Sequence, residues 1–361
     1  MKTILATFAA AGLLASSASA VITVGPRQLV SSSDYLVGNR AQYVGRFGSY
    51  LGTPISPRHF ITASHVGNAG GGTFVYRNGT STETTYQVTL RGTRDDLAIW
   101  ELTPAAPSFT RWTPVYTGTA EVGRPITIIG RGTDKGAEVR YPETTGALRG
   151  YRWGADDTLV SWGTNTVTTT LSIDGAPPGF GGDFLYFDFT QSAGAAECTV
   201  SNGDSSGPVF VTELDGSVKL AAINSLVDGN FGYSLNGAFF PAAIWDARGM
   251  YVGVSGNASL ISASAPNPVP AGAYSTRISS RYVSFIAPII NPVMPPSCGT
   301  SDFNGDGDFG TDADIEAFFA CLGGSCCATC YSGGSDFNAD GDFGTDQDIE
   351  SFFRVLGGGA C

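Results

Sequence analysis

Short apolar runs alternate with polar turn residues along most of the chain. Between residues 21 and 293 the runs are rich in Val, Ile, Thr and Phe, and clusters of Gly, Asn and Ser separate them. β-Branched and aromatic side chains favour strands, whereas Gly, Asn and Ser favour turns. With 49 glycines and only 14% charged residues, the pattern indicates short strands and few long helices. We therefore predict a mainly β fold for this part of the chain.

A different pattern begins after residue 300, where one segment occurs twice. The segment SDFNGDGDFGTDADIEAFFACLGG starts at Ser301 and returns as SDFNADGDFGTDQDIESFFRVLGG at Ser335. In each copy four apolar residues follow the i, i+3, i+4, i+7 spacing of one helix face. These residues are Ile315, Phe318, Phe319 and Leu322, and then Ile349, Phe352, Phe353 and Leu356. Each copy is therefore predicted to form a loop followed by an amphipathic helix that ends at Gly-Gly.

The breaks in this pattern predict two domains behind a signal peptide. Residues 1–20 combine Lys2, an apolar stretch and the small residues Ala18-Ser19-Ala20, as a signal peptide does; a buried N-terminal helix is the alternative. The segment MPPSCGTS marks a linker, because its prolines cannot continue a helix. We expect domains at residues 21–293 and 301–361, joined by a linker at 294–300, in a secreted protein. No later apolar run reaches the roughly 18 residues of a membrane span.

Acidic residues and cysteines are concentrated in the C-terminal segment. From Gly299 onward twelve acidic residues accompany one base, Arg354, which accounts for nearly all of the net charge of −12. Since the chain has no basic patch, we expect no nucleic acid and no anionic membrane as a partner. Six of the seven cysteines, all except Cys198, also lie in the tail and predict three disulfides, whose pairing the sequence leaves open. A zinc site in CLGGSCCATC is the alternative, although that segment has no histidine.

Both copies of the repeat carry the pattern Asp-x-Asn-x-Asp-Gly. Oxygen ligands at alternate positions, with glycine at the sixth, suit a loop that wraps around a hard cation, and calcium is the expected ion. The twelfth position is Ala313 or Gln347, where a closing carboxylate is expected, so the acid that closes each loop is left open. A solvated acidic turn without an ion is the alternative. The candidate ligands are Asp302, Asn304, Asp306, Asp308, Asp312, Asp314, Asp336, Asn338, Asp340, Asp342, Asp346 and Asp348.

Three separate segments of the β-rich part contain the residue types of a nucleophilic triad. His65 follows an apolar run in SPRHFITASHVG, Asp96 precedes one in RGTRDDLAIWEL, and Ser205 lies in GDSSGP. A serine hydroxyl becomes a good nucleophile when a base removes its proton and a carboxylate orients that base. Asp95 is the alternative carboxylate, but neighbouring side chains of a strand face opposite ways. The sequence therefore predicts a catalytic set of His65, Asp96 and Ser205.

These motifs, in the order His, Asp, Ser, resemble a chymotrypsin-type serine peptidase over roughly residues 36 to 293. The resemblance implies a double six-stranded β-barrel and an endopeptidase that acts on proteins or peptides. It makes Ser205 the nucleophile, His65 the base and then the acid, and Asp96 the orienting carboxylate. It also makes the N–H groups of Gly203 and Ser205 the oxyanion hole. A catalytically inactive peptidase fold that serves as a binding protein is the alternative.

Several residues depart from the pattern of that family. Ser206 stands where the family usually has glycine, and Val66 stands where a cysteine usually follows the histidine. Many members mature by pairing a new N-terminus with the acid before the nucleophile, which here is Asp204. The segment YLVGN, residues 35–39, only loosely resembles that N-terminal motif, and no basic residue directly precedes Leu36. Val21, released by removal of residues 1–20, is the alternative N-terminus, and a side-chain partner for Asp204 is a further alternative.

The same resemblance gives a specificity pocket with Thr199 at its base and Val227 at its entrance. Thr199 is small and neutral, and a buried cation without a counter-charge costs several kcal/mol. We therefore expect cleavage after small or medium uncharged residues, unless Asp228 reaches into the pocket.

The two loop-helix copies resemble a dockerin, a calcium-binding module that docks enzymes onto partner domains. The resemblance covers about the last 60 residues and implies a small α-helical calcium-loop domain with a cohesin-like docking partner. The closing loop position and the cysteine content depart from the dockerin pattern. A purely structural module without an external partner is the alternative.

Overall fold

The computed structural model describes residues 21–35, 40–155, 158–173, 181–192, 194–214, 216–290, 299–331, 333–338 and 342–359. The chain divides into two compact units, Met1–Ile290 and Asn291–Cys361. The expected signal peptide at residues 1–20 lies outside the described residues, as do Cys298, Asp340 and Cys361. None of the helices in the described ranges is long and apolar enough to span a membrane.

The first unit consists almost entirely of short strands. Its first eight strands are β1 (Ile22–Thr23), β2 (Gln28–Leu29), β3 (Gly45–Phe47), β4 (Tyr50–Pro54), β5 (His59–Ala63), β6 (Thr73–Tyr76), β7 (Thr84–Arg94) and β8 (Leu97–Leu102). The next strands are β9 (Pro125–Gly130), β10 (Lys135–Tyr141), β11 (Ala147–Trp153), β12 (Ser161–Thr166), β13 (Thr169–Ile173), β14 (Gly182–Asp188), β15 (Cys198–Thr199), β16 (Pro208–Thr212), β17 (Val218–Val227), β18 (Asn230–Gly232), β19 (Phe239–Ile244), β20 (Tyr251–Val254), β21 (Asn257–Leu260) and β22 (Gly272–Arg277). The helices are α1 (Ala287–Ile290) in this unit, and α2 (Asp312–Leu322) and α3 (Asp346–Leu356) in the second.

The first half of this unit is a closed barrel in the order β3-β4-β5-β8-β7-β6. Its interior is aromatic: the rings of Phe60 and Phe74 stack with centroids 4.0 Å apart, and Phe47 and Trp100 pack beside them. Side chains alternate across a strand, so every second residue of β6 is buried. The predictions of a mainly β fold and a six-stranded barrel are confirmed.

The second half differs from a second six-stranded barrel. Within the described ranges its strands form an eight-stranded sheet, β13-β14-β22-β17-β16-β9-β12-β2, and a six-stranded sheet, β10-β11-β19-β18-β20-β21. The short strand β1 pairs with β15. Strands β10 and β11 belong to the six-stranded sheet, in which β10 pairs with β11 and β11 pairs with β19.

A shared apolar core joins the two halves of the first unit. Ile61 and Ile99 from the barrel pack with Phe210 and Ile223 from the eight-stranded sheet. Strand β5 is buried along its whole length because Phe60 faces the barrel interior and Ile61 faces this shared core. The site described below lies where β5, β8 and the turn before β16 meet.

The second unit is a symmetric pair of helices around stacked phenylalanines. The rings of Phe318 and Phe352, which occupy equivalent positions of the repeat, stack at 4.1 Å. Leu322 lies 3.2 Å from the Cβ position of Gly344 in the other copy, and Leu356 lies 3.3 Å from that of Gly310. The predicted loop-helix repeats are therefore present, and each helix end packs on the loop of the other copy.

Disulfides form within this unit, as the cysteine content predicted. Cys321 pairs with Cys326 and Cys327 pairs with Cys330. These four cysteines are therefore not thiolates that could bind zinc, which was the alternative interpretation of this segment. Cys198 is buried and free in the first unit. The remaining two tail cysteines, Cys298 and Cys361, lie outside the described residues.

Candidate functional site

His65 lies in a short 3₁₀ turn, Ser64–Val66, directly after β5. The strand is held on one side by β8, with Ala63 opposite Leu97, so the histidine is presented at the end of a buried ladder. Its side chain is only 15% exposed. This position leaves one edge of the imidazole toward the interior and the other toward the junction of the two halves.

Asp96 occupies the tight turn between β7 and β8 and is completely buried. Its carboxylate accepts the backbone N–H of His65 at 2.9 Å and the Nδ1 of the same residue at 2.8 Å. Ser225 of β17 also donates its hydroxyl to Asp96. An aspartate bonded in this way holds the proton on Nδ1 and leaves Nε2 as a hydrogen-bond acceptor.

Ser205 lies in the turn between β15 and β16 and is partly exposed. Its Oγ is 2.8 Å from His65 Nε2. The structure therefore brings His65, Asp96 and Ser205 into one hydrogen-bonded row, although they are separated by 31 and 140 residues from His65. Asp95, the alternative carboxylate, instead pairs with Arg281.

Backbone N–H groups next to Ser205 have the character expected of an oxyanion hole. Gly203 has a φ of +90°, which glycine adopts without strain. In the described part of the chain the N–H groups of Gly203 and Ser205 donate to no acceptor, whereas those of Asp204, Ser206 and Gly207 are all bonded. Two free donors beside a hydroxyl are able to receive an oxygen that gains negative charge.

Asp204 points away from this row, into the interior. Its carboxylate accepts the N–H groups of Gly132 at 2.6 Å and Ser201 at 2.7 Å. Burial raises the pKa of Asp204 to about 7, even though these hydrogen bonds act in the opposite direction. A Cβ on Gly130 would lie 1.9 Å from Asp204 Oδ1 and 3.0 Å from Val21 Cγ1, so Val21 is next to this carboxylate.

The predicted specificity residues lie in separate strands. Thr199 is fully buried in β15 opposite Ile22, and its hydroxyl has no hydrogen-bond partner among the described residues. Val227 ends β17 opposite Ala273. The carboxylate of Asp228 already has hydrogen-bond partners, because it accepts hydrogen bonds from the N–H of Gly272 at 3.0 Å and from the hydroxyl of Tyr274 at 3.3 Å. The pocket formed by Thr199 and Val227 stays a prediction.

Sequence reasoning missed three contacts that hold the row in place. Ser225 donates to Asp96, the hydroxyl of Ser206 accepts the N–H of Ala63, and Arg281 binds Asp95 in the turn that carries Asp96. Each joins segments that are more than 100 residues apart. No local pattern signals such partners; the serine in place of glycine at 206 was the single available hint.

The first predicted cation loop curls so that its polar side chains face the loop interior. Asp302 accepts the N–H groups of Asp306 and Gly307, both at 3.1 Å, and Asn304 Nδ2 donates to Asp306 at 2.8 Å. Carboxylate and amide oxygens suit a hard cation, so Asp302, Asn304 and Asp306 fit calcium chemically. No three Asp, Glu, His or Cys side chains of the described ranges are grouped as a metal site. In the second loop Asp336 and Asn338 correspond to Asp302 and Asn304, and Asp342 corresponds to Asp308; Asp340, the counterpart of Asp306, lies outside the described residues.

Asp314 and Asp348 were also predicted as cation ligands, but in the structure they cap the two helices of the second unit. Asp314 is fully buried and accepts the N–H groups of Phe303 and Thr311, both at 2.8 Å. Asp348 accepts the N–H of Thr345 at 2.8 Å in the same way. Each completes a capping box at the start of its helix, so its oxygens are taken by protein donors. Asp308, Asp312 and Asp346 lie exposed.

The chain matches several solved structures at 12–14% identity. No protein-family model matches the chain, and no curated protein matches it. Deg5 aligns with 67% of this chain and 83% of its own at 12% identity and a TM-score of 0.34. A mutant of human heparin binding protein aligns with 76% of this chain and 100% of its own, at 14% identity and a TM-score of 0.40. Human heparin binding protein itself aligns with 74% and 98%, at 13% identity and a TM-score of 0.40.

Proposed function

We propose that the chain is a secreted serine endopeptidase that hydrolyses peptide bonds with His65, Asp96 and Ser205. The observation that carries the proposal is the continuous row of hydrogen bonds from Asp96 through both nitrogens of His65 to Ser205 Oγ, with 2.8 Å at each imidazole nitrogen. A partly exposed hydroxyl, a base and a buried carboxylate in this order are what nucleophilic acyl transfer requires.

In the first half of the reaction Ser205 Oγ attacks the carbonyl carbon of the scissile bond. His65 Nε2 takes the hydroxyl proton as the new C–O bond forms, and the carbonyl π electrons move to the oxygen. The unbonded N–H groups of Gly203 and Ser205 receive that oxyanion. The C–N bond then breaks, and His65 returns the proton to the leaving amine, so an acyl-enzyme and a free amine result.

In the second half water repeats these steps on the acyl-enzyme. His65 removes a proton from water, the hydroxide attacks the acyl carbon, and the proton then passes to Ser205 Oγ as the ester bond breaks. Asp96 keeps its charge throughout and stabilises the imidazolium, because its carboxylate is buried against Nδ1.

The second unit is proposed to bind calcium and to localise the enzyme through a cohesin-like partner. Asp302, Asn304 and Asp306 of the first loop, and the matching positions Asp336, Asn338 and Asp340 of the second, would hold the ions. A bound cation would neutralise the crowded carboxylates of each loop. The exposed side chains of Phe309 and Phe343, 69% and 72% accessible at equivalent positions, give the unit apolar surface for docking.

A fluorophosphonate probe tests the peptidase proposal. The wild-type chain should form a covalent adduct at Ser205, detected by mass spectrometry of the labelled peptide, and should cleave a peptide library. Ser205→Ala should abolish both, with activity reduced by several orders of magnitude, because the triad acts as a unit. Ser264→Ala, a change of an exposed serine in the same unit, is the matched control and should label normally.

Two outcomes of this experiment contradict the proposal. Wild-type protein that binds peptides without labelling or cleaving them supports the inactive binding protein instead. Near-normal turnover in Ser205→Ala rules out the mechanism. A dominant preference for Arg or Lys in the library rejects only the pocket of Thr199 and Val227.

A further inference from the structure

Ser206, the residue after the proposed nucleophile, has a backbone conformation that serine rarely adopts. Its φ is +69°, in the left-handed region that glycine occupies without strain. The side chain is completely buried. Glycine would suit this backbone better, so the contacts of the serine hydroxyl must offset the strain.

At the end of β5, the Ser206 hydroxyl is the hydrogen-bond acceptor that a neighbouring strand provides earlier in β5. It accepts the backbone N–H of Ala63 at 2.9 Å, across a sequence separation of 143 residues. Strand β4 pairs with β5 at Ile61 and Phe60, and Ala63 lies beyond that ladder. Ala63 is completely buried, so its N–H needs a partner inside the protein. Ser206 supplies this partner two residues before His65.

The backbone of Ser206 is tied to the same junction from the other side. Its N–H donates to the carbonyl of Asn224 at 3.0 Å. The next residue, Ser225, donates its hydroxyl to Asp96. Ser206 therefore connects the turn that carries Ser205 with the strand that leads to His65 and with the strand that supports Asp96.

We propose that Ser206 is a positioning residue whose hydroxyl fixes the His65 turn relative to the Ser205 turn. Its hydroxyl acts through the backbone N–H of Ala63, two residues before His65. The inference rests on the proposed peptidase function, since the Ser205–His65 distance matters for turnover only if these groups react. Displacing reacting groups by a fraction of an ångström lowers kcat more than it changes substrate binding.

Two substitutions separate the hydroxyl from the backbone strain. Ser206→Ala removes the hydroxyl and keeps the strained φ, whereas Ser206→Gly removes both. Both should lower kcat by about tenfold or more while KM changes less than about twofold. Ser206→Gly should unfold at a higher temperature than Ser206→Ala. The matched control is Ser56→Ala, which removes another buried serine hydroxyl that accepts a backbone N–H, that of His59 at 3.0 Å, away from the triad. It should destabilise the fold without lowering kcat.

A measurement that needs no turnover keeps this inference separable from the proposed function. The chain has only two histidines, so the imidazole ¹⁵N shifts of His65 can be assigned and report its hydrogen bonds. They should change in both Ser206 variants and stay constant in Ser56→Ala. If wild-type protein neither labels nor hydrolyses, the peptidase proposal fails and these shifts alone decide the role of Ser206. Wild-type kcat or unchanged His65 shifts in Ser206→Gly, or an equal loss of kcat in Ser56→Ala, overturns the inference.

Discussion

At the scale of single residues, two buried carboxylates in and beside the proposed triad differ in their hydrogen-bond partners. Asp96 and Asp204 are both buried, but only Asp96 has a titratable side chain bonded to it. In the described part of the chain Asp204 receives neutral donors, among them the backbone N–H groups of Arg131, Gly132 and Ser201 and the hydroxyl of Ser201. Burial therefore raises the pKa of Asp204 to about 7.

This pKa predicts how stability changes with pH. Because the folded pKa of Asp204 lies above its unfolded value of 3.8, the fold favours the neutral acid. The resulting stability is fully present below pH 3.8 and is lost as pH rises through about 7, by about 4 kcal/mol in all. Urea unfolding of the inactive Ser205→Ala chain between pH 4 and 8 should show this fall, and Asp204→Asn in the same background should remove it.

A chain that begins at Val21 is the matched comparison. Val21 is next to Asp204, so a free ammonium at this position would stabilise the carboxylate and lower the pKa of Asp204. The fall in stability between pH 4 and 8 should then be smaller than in a chain with residues 1–20 attached. Identical pH profiles for the two chains would reject Val21 as the partner of Asp204.

The sequence made the three triad residues predictable because each lies in a local motif. Their partners were not predictable, since the Ser206 hydroxyl bonds Ala63 and Ser225 bonds Asp96 only after distant strands meet. The side chain of Asp228 shows the same limit. The sequence left open whether this side chain reaches the pocket, and in the structure it accepts hydrogen bonds from Gly272 and Tyr274.

At the scale of elements, the starts of α2 and α3 separate two uses of acidic residues. The pattern Thr-x-x-Asp fits both a helix capping box and a calcium loop shifted by one residue. Only the folded backbone distinguishes them, because it places Asp314 against Thr311 and Phe303. In the first barrel β3 and β6 show the alternating burial that a sequence pattern predicts, whereas β4, β5 and β8 are buried along most of their length.

Two substitutions in the first repeat should therefore have different effects. Asp314→Asn places an amide against the N–H donors of the cap and should destabilise α2 by roughly 0.5–2 kcal/mol with or without calcium. Asp302→Asn should weaken calcium binding and leave the calcium-free helix almost unchanged. Titration calorimetry and helix circular dichroism on the full chain measure both. A loss of calcium affinity in Asp314→Asn with no change in helix stability would restore Asp314 as a ligand.

At the scale of the whole molecule, the two units have different chemistry and are expected to respond separately. The second unit holds the loop carboxylates and the Cys321–Cys326 and Cys327–Cys330 disulfides, whereas the triad lies wholly in the first. The composition predicted this division, because acids and cysteines cluster after residue 297. The open eight-stranded sheet was not predictable, since no local sequence pattern shows which of the two sheets a strand will join.

Chelation tests this independence. With a strong chelator the proposed calcium sites should empty, and part of the α2 and α3 signal should be lost because the loop carboxylates repel one another. The disulfides limit the loss. Peptidase activity should stay within about twofold of the untreated protein, measured on a small peptide ester. A large loss of activity that returns with added calcium would contradict the separation, and Asp302→Asn provides the matched control.

The phenylalanine pairs of the second unit have one more consequence. Phe318 stacks on Phe352 and Phe303 on Phe337, and each pair joins the same position of the two copies. A single repeat thus carries a surface that is complementary to itself. A peptide of one repeat should be unfolded when dilute and should assemble into a twofold-symmetric homodimer as its concentration rises.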